Sequence, residues 1–116
     1  MRVLYSGDAK KLDSRFDSFL GYELCNLEIK DPTTIELTIR AQDSLREYDW
    51  IEISFLCSDV MDASLPTGTQ VAIDETESRL ILKNLDNRFT LLFEDGYNEV
   101  THYITCKNIK YSENSY

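Results

Sequence analysis

The sequence predicts an α+β domain, mainly antiparallel β (a sandwich-like or curved sheet), with one short N-terminal helix. Three observations carry that expectation. One stretch near the N-terminus has apolar residues at helical spacing, the chain after Gly21 alternates apolar and polar residues with a period of two, and turn-forming residues punctuate the alternating runs. At 116 residues a single core and a single domain spanning 1–116 are expected. A chain of this size buries roughly two-thirds of its unfolded surface and needs no disulfide or metal to fold.

The helix is expected over residues 13–20. Leu12, Phe16, Phe19 and Leu20 make one apolar stripe, Asp13 or Ser14 is suited to cap the start, and Gly21 to end it. Leu27 and Ile29, then Ile35, Leu37 and Ile39, flank Asp31-Pro32-Thr33 and predict a hairpin. Ile51, Ile53, Phe55 and Cys57 alternate with polar residues, while Trp50 and Leu56 make this strand apolar on both faces, as in a central strand between the helix and a second layer. Leu65-Pro66-Thr67-Gly68 is a turn, Val71–Ile73 a short strand, and Asp74-Glu75-Thr76-Glu77-Ser78 a polar tip. Leu80 and Leu82 follow in strand register, then Phe89, Leu91 and Phe93. After Asp95-Gly96, Val100, His102, Ile104 and Cys106 form the last alternation, and Ser112–Tyr116 is expected to fray.

The charge is unevenly spread. The net charge is −9, but residues 23–99 carry 17 acidic against six basic groups, whereas residues 1–22 are slightly basic. A field of that sign repels nucleic acid and anionic membrane and accelerates encounter with a basic protein. An acidic surface also keeps a protein soluble whatever its partner. Three cysteines, Cys25, Cys57 and Cys106, are widely spaced, with no zinc-knuckle or redox spacing, and are expected to be reduced core or near-core residues of a cytoplasmic protein. The apolar run at the N-terminus is too short for a secretory signal, and no stretch reaches membrane-spanning length.

Catalytic constellations are sparse. His102 and Cys106 share one face of a strand but lie about 13 Å apart by the strand rise, beyond hydrogen-bonding reach. Asp59 and Asp62 are two acids in an expected loop, and the Asp74, Glu75 and Glu77 cluster lacks the order of a calcium loop. Glycine-rich phosphate loops and nucleophile elbows do not occur, so neither an enzyme, a cofactor nor a metal is expected. Seven tyrosines lack the basic groove that nucleic-acid stacking requires, and tyrosines among carboxylates suit a protein interface or, equally, a polar loop. Two segments combine these ingredients, Asp43-Ser44-Leu45-Arg46-Glu47-Tyr48-Asp49-Trp50 and Glu94-Asp95-Gly96-Tyr97-Asn98-Glu99.

The run Phe16-Asp17-Ser18-Phe19-Leu20-Gly21-Tyr22-Glu23-Leu24, with Leu27-Glu28-Ile29, Ile35-Glu36-Leu37-Thr38-Ile39, Trp50-Ile51-Glu52-Ile53-Ser54-Phe55 and Val60-Met61-Asp62-Ala63, resembles small bacterial immunity proteins. Those proteins guard a cell against the toxins of polymorphic and contact-dependent growth inhibition systems. The resemblance covers about residues 12–64 and implies a cytoplasmic protein that binds one toxin domain, nucleases included, and blocks its active site. An acidic inhibitor complements a basic, substrate-binding toxin surface. The resemblance transfers no functional residues, so the candidate partner contacts come from the loops: Asp43, Glu47, Tyr48, Asp49, Asp74, Glu75, Glu77, Asp95, Tyr97 and Glu99. The alternative is an acidic, non-catalytic adaptor domain in a larger assembly. A small enzyme using Asp59, Asp62 or His102 is a third reading.

Overall fold

A computed structural model describes residues 1–65, 78–95 and 99–115. They form β1 (Arg2–Val3), α1 (Asp8–Arg15), β2 (Glu23–Asp31), β3 (Thr34–Asp43), a 3-10 turn (Ser44–Arg46), β4 (Asp49–Ser64), β5 (Arg79–Leu85), β6 (Arg88–Glu94) and β7 (Val100–Ser115). All seven strands belong to one antiparallel sheet in the order β2-β3-β4-β7-β6-β5, with β1 paired to β7 off that path. The mainly antiparallel α+β class is therefore the observed one, built as a single sheet rather than a two-sheet sandwich among the described residues.

Alternation explains which side of the sheet is dry. Leu37, Ile39 and Ala41 of β3, Ile51, Ile53, Phe55 and Cys57 of β4, Leu80 and Leu82 of β5, and Phe89, Leu91 and Phe93 of β6 are all buried on one face. Ile104, Cys106 and Ile109 of β7 complete it. Against that face lie Ala9 and Leu12 of α1, then Phe16, Phe19 and Tyr22 from the chain that follows the helix. The sheet and the helical segment are the two layers of the fold. β4 is interior to the sheet as expected, but Trp50 is partly exposed, and no second layer covers its outer face among the described residues.

The helix starts and stops earlier than its apolar stripe suggests. It spans Asp8–Arg15, not 13–20, with Asp8 in the first turn and Arg15 in the last, both matched to the helix dipole. Asp8 also accepts a hydrogen bond from the Tyr5 N–H at 3.1 Å. Beyond Phe16 the backbone turns left-handed at Asp17, Ser18 and Phe19, with φ of 52°, 54° and 52°. Phe16 and Phe19 therefore meet by a reversal of the chain, with stacked rings 5.0 Å apart, and not across a helical turn. Asp13, read from sequence as a cap, instead accepts from the Ser18 hydroxyl at 2.8 Å and from the Leu82 N–H at 3.1 Å. It ties the helix to the edge of the sheet.

The hairpins follow local turn chemistry. Asp31 accepts from the Thr33 N–H at 2.9 Å and closes the β2–β3 turn. Asp86 and Asn87 both have positive φ, 54° and 61°, giving the two-residue β5–β6 turn its twist. β4 and β7 are each 16 residues long, and β4 carries an irregularity around Asp59, whose φ is 54°. Asp59 and Asp62 thus sit on a bulged strand, not in a loop.

Two other expectations change. Cys25 lies exposed at a register shift in the edge strand β2, while Cys57 and Cys106 are buried as expected. The C-terminal residues continue β7 and pair with β4, Ser112 with Ser54 and Ser115 with Ile51, where fraying was expected. Hydroxyls and carboxylates there had hidden a strand whose partner supplies the apolar face. The expected strand Val71–Ile73 lies outside the described residues.

Candidate partner-binding surface

The β3–β4 connection is short, strained and firmly anchored. Asp43 ends β3 with its side chain fully buried. Its carboxylate caps the 3-10 turn by accepting the Leu45 N–H at 3.0 Å. It also receives the Arg15 guanidinium in a two-point grip, Nε to Oδ1 at 2.9 Å and Nη2 to Oδ2 at 2.5 Å. Arg46 approaches the same carboxylate at 3.5 Å. The Arg15 hydrogen bond, followed by opposing burial, leaves the Asp43 carboxyl below its ordinary titration range. Arg15 is pushed the other way, above its ordinary value, chiefly by the same bond.

The anchor extends to both ends of the chain's fold. Arg15 Nη2 also reaches Glu113 of β7 at 2.6 Å, and Glu113 in turn pairs with Arg2. The Ser44 hydroxyl donates to the Arg15 carbonyl at 2.6 Å. Helix end, hairpin tip and last strand are thus locked around two carboxylates and three guanidinium groups, Arg2, Arg15 and Arg46.

What this base presents is apolar and aromatic. Glu47 and Tyr48 take left-handed backbone conformations, φ 54° and 64°, and the Tyr48 N–H closes the turn on the Asp43 carbonyl at 2.8 Å. Leu45 is 76% exposed, Tyr48 54% and Trp50 38%, with the exposed side chains of Glu47 and Asp49 between them. This hairpin tip brings three large exposed apolar side chains within six positions, as the N-terminal Met1, Val3 and Tyr5 also do, but only at the tip do two exposed carboxylates stand between them.

The other candidate contacts separate from it. Asp95 and Glu99 close the β6–β7 connection, with the Asp95 N–H donating to the Glu99 carbonyl and the Glu99 N–H to the Asp95 carboxylate, each at 2.9 Å. This connection enters β7 at Val100, whereas the β3–β4 tip lies beside Ser115 at the other end of the same strand. The two segments therefore do not make one surface. Asp43 is an internal carboxylate with a fully buried side chain, which leaves its neighbours exposed and not itself. Asp74, Glu75, Glu77 and Tyr97 lie outside the described residues. Arg15 and Glu113, the anchors of the tip, carried no sequence signal beyond their charge, because their contacts are long-range.

The residues weighed for catalysis are held in separate contacts. Asp59 accepts from the Asn108 amide and Asp62 from the Tyr103 hydroxyl, each at 2.9 Å. His102 lies beside a cavity of about 50 Å³ with Tyr22, Ser78, Phe93 and Thr101, and its Nδ1 has no hydrogen-bond partner among the described residues. Burial pushes the Tyr22 hydroxyl up to about 12. Among the described residues no three His, Cys, Asp or Glu side chains converge on a common point that could hold a metal. No described helix is long and apolar enough to cross a membrane.

Comparison with protein-family models, with curated proteins and with solved structures returned no match.

Proposed function

We propose that this chain is an immunity protein, one that binds a cognate bacterial toxin domain through the β3–β4 tip and occludes its active site. The observation that carries the reading is the tip itself. Leu45, Tyr48 and Trp50 stand exposed on a backbone braced from below by the buried Asp43 and its part-buried partner Arg15. A rigid aromatic anchor loses little conformational freedom on binding and is the usual source of interface hot spots. Glu47 and Asp49 border it within a net charge of −9, which favours a basic partner and rapid, salt-sensitive association. Basic substrate-binding surfaces of nucleases have that character. An adaptor role would use the same tip on a partner unrelated to toxins.

The test is affinity capture from the native cell, at low and high salt, with wild type and with Tyr48→Ala. Recovery of a basic toxin domain that weakens with salt and with Tyr48→Ala supports immunity. Recovery of an unrelated assembly, equally sensitive to Tyr48→Ala, sinks immunity and favours the adaptor. Should direct titration of the chain with the toxin domain encoded beside its gene give no binding, the immunity reading fails. Trp50 is the sole tryptophan, so its emission reports engagement of the tip directly.

A further inference from the structure

We infer that a second surface, the groove between α1 and the outer edge of β5, accepts an extended acidic peptide segment as an added strand. This surface is independent of the tip and does not rest on the immunity reading.

The sheet ends in two edge strands, and they are guarded differently. β2 is guarded by charge and irregularity, with Glu23, Glu28, Lys30 and Asp31 along it and a register shift at Cys25. β5 is guarded by the helical segment. The Gly21 N–H donates to the Ser78 carbonyl at 2.8 Å, the Leu80 N–H to the Ser18 carbonyl at 3.0 Å, and the Leu82 N–H to the Asp13 carboxylate at 3.1 Å. Even-numbered residues of β5 therefore turn their main-chain groups outward, away from β6.

That cover stops at Leu82. The next outward-facing groups are the Leu82 carbonyl and the N–H and carbonyl of Asn84, and none has a partner among the described residues. They face a groove of about 470 Å³ lined by Ser6, Ala9 and Lys10 on the helix side and by Ile81 to Leu85 on the other. Its length along β5 fits roughly four residues of extended chain at the strand rise. Leu85, 72% exposed, offers an apolar contact at the mouth.

Charge selects the occupant. Lys10 and Lys83 both line the groove, and neither belongs to an ion pair among the described residues. The one carboxylate there, Asp13, is already engaged by Leu82 and Ser18. In a chain of net charge −9, the groove is a local basic site beside an open strand edge. Main-chain bonds to Leu82 and Asn84 would supply affinity for any extended segment, and the lysines a preference for Asp or Glu side chains.

The probe is a displayed library of random twelve-residue peptides, selected on the immobilised full chain. Enrichment of acidic peptides with alternating β-branched residues is expected. Their affinity should fall at least tenfold in Lys10→Glu/Lys83→Glu, a pair of surface changes that spares the core. On adding the best peptide, amide exchange at Asn84 should slow at least tenfold, while exchange at the exposed tip residue Leu45 stays unchanged. A library that yields no binder overturns the inference. So do peptides that bind the double variant equally well, or that protect Leu45 and not Asn84. Protection of Asn84 by raising the concentration of the chain alone would identify a second copy as the occupant and overturn it too.

Discussion

Asp43 shows how one side chain ranks differently in a sequence and in a fold. From sequence it is an acid in a polar loop; in the structure it is the buried post on which Arg15, Leu45 and Arg46 converge. Removing one partner of a buried pair costs about 3–5 kcal/mol because the other charge is left uncompensated. Arg15 is only part-buried and keeps Glu113, so Asp43→Asn should fall below that range, losing about 1–3 kcal/mol in urea unfolding. The pH dependence has a definite sign. The folded-state carboxyl is held below its ordinary value, so its stabilisation is complete above about pH 4 and is lost as pH falls through the folded value. Wild type should therefore weaken below about pH 4 more steeply than Asp43→Asn. Parallel curves would show that other carboxyls carry the acid sensitivity.

The cysteines divide in the same way. Cys25 is exposed at the edge of the sheet, while Cys57 and Cys106 are buried within it, where contact with Cys106 and burial raise the Cys57 thiol. A disulfide reagent should modify one thiol per native chain, slowly because partial desolvation raises the Cys25 thiol too, and three only after unfolding. Cys25→Ser should abolish the native reaction. Rapid modification of two or three thiols in the native protein would contradict this division.

Among the elements, most strands were legible, β1 and the end of β7 excepted, while the short N-terminal helix was legible in its existence but not in its bounds. Ile35-Leu37-Ile39 and Phe89-Leu91-Phe93 announce their buried face because a strand's period is fixed by the pleat, whatever its neighbours are. Leu12, Phe16, Phe19 and Leu20 satisfy a helical stripe equally well, yet only Leu12 lies within the helix. The deciding interactions, the Ser18 carbonyl on Leu80 and the Asp13 carboxylate on Leu82, join residues more than 60 positions apart and leave no local trace. For the same reason the tip's loop residues could be picked from sequence while its brace could not. Phe19 is fully buried, stacks on Phe16 and meets the Phe55 ring edge-on at 5.9 Å. Phe19→Ala should cost about 3–5 kcal/mol, measured by denaturant unfolding, whereas a solvent-facing helical position would cost little. The β3–β4 tip predicts the converse. Leu45→Ala and Tyr48→Ala should stay within about 0.5 kcal/mol of wild type in stability. Each should nevertheless lose about 2 kcal/mol of partner affinity by titration. A tip variant that unfolds the protein would make these residues structural.

At the scale of the whole molecule, one strand holds the rest together. β2, β3 and β4 form one run of hairpins, β5 and β6 another, and among the described residues the two runs meet in the sheet solely through β7, which pairs with β4 along one edge and with β6 and β1 along the other. β7 is also the last of these elements in chain order. During synthesis the ribosome therefore releases two incomplete β-sheets, with their apolar faces formed and their central edges open, before the strand that joins them exists outside the exit tunnel. Such exposed edges invite pairing with neighbouring nascent chains. A translation intermediate halted before Val100 should be digested throughout by protease, and one extended past Ser115 and clear of the tunnel should resist. For this molecule, closure of the sheet waits for β7, and anything that delays the emergence of that strand lengthens the interval in which the chain depends on chaperones.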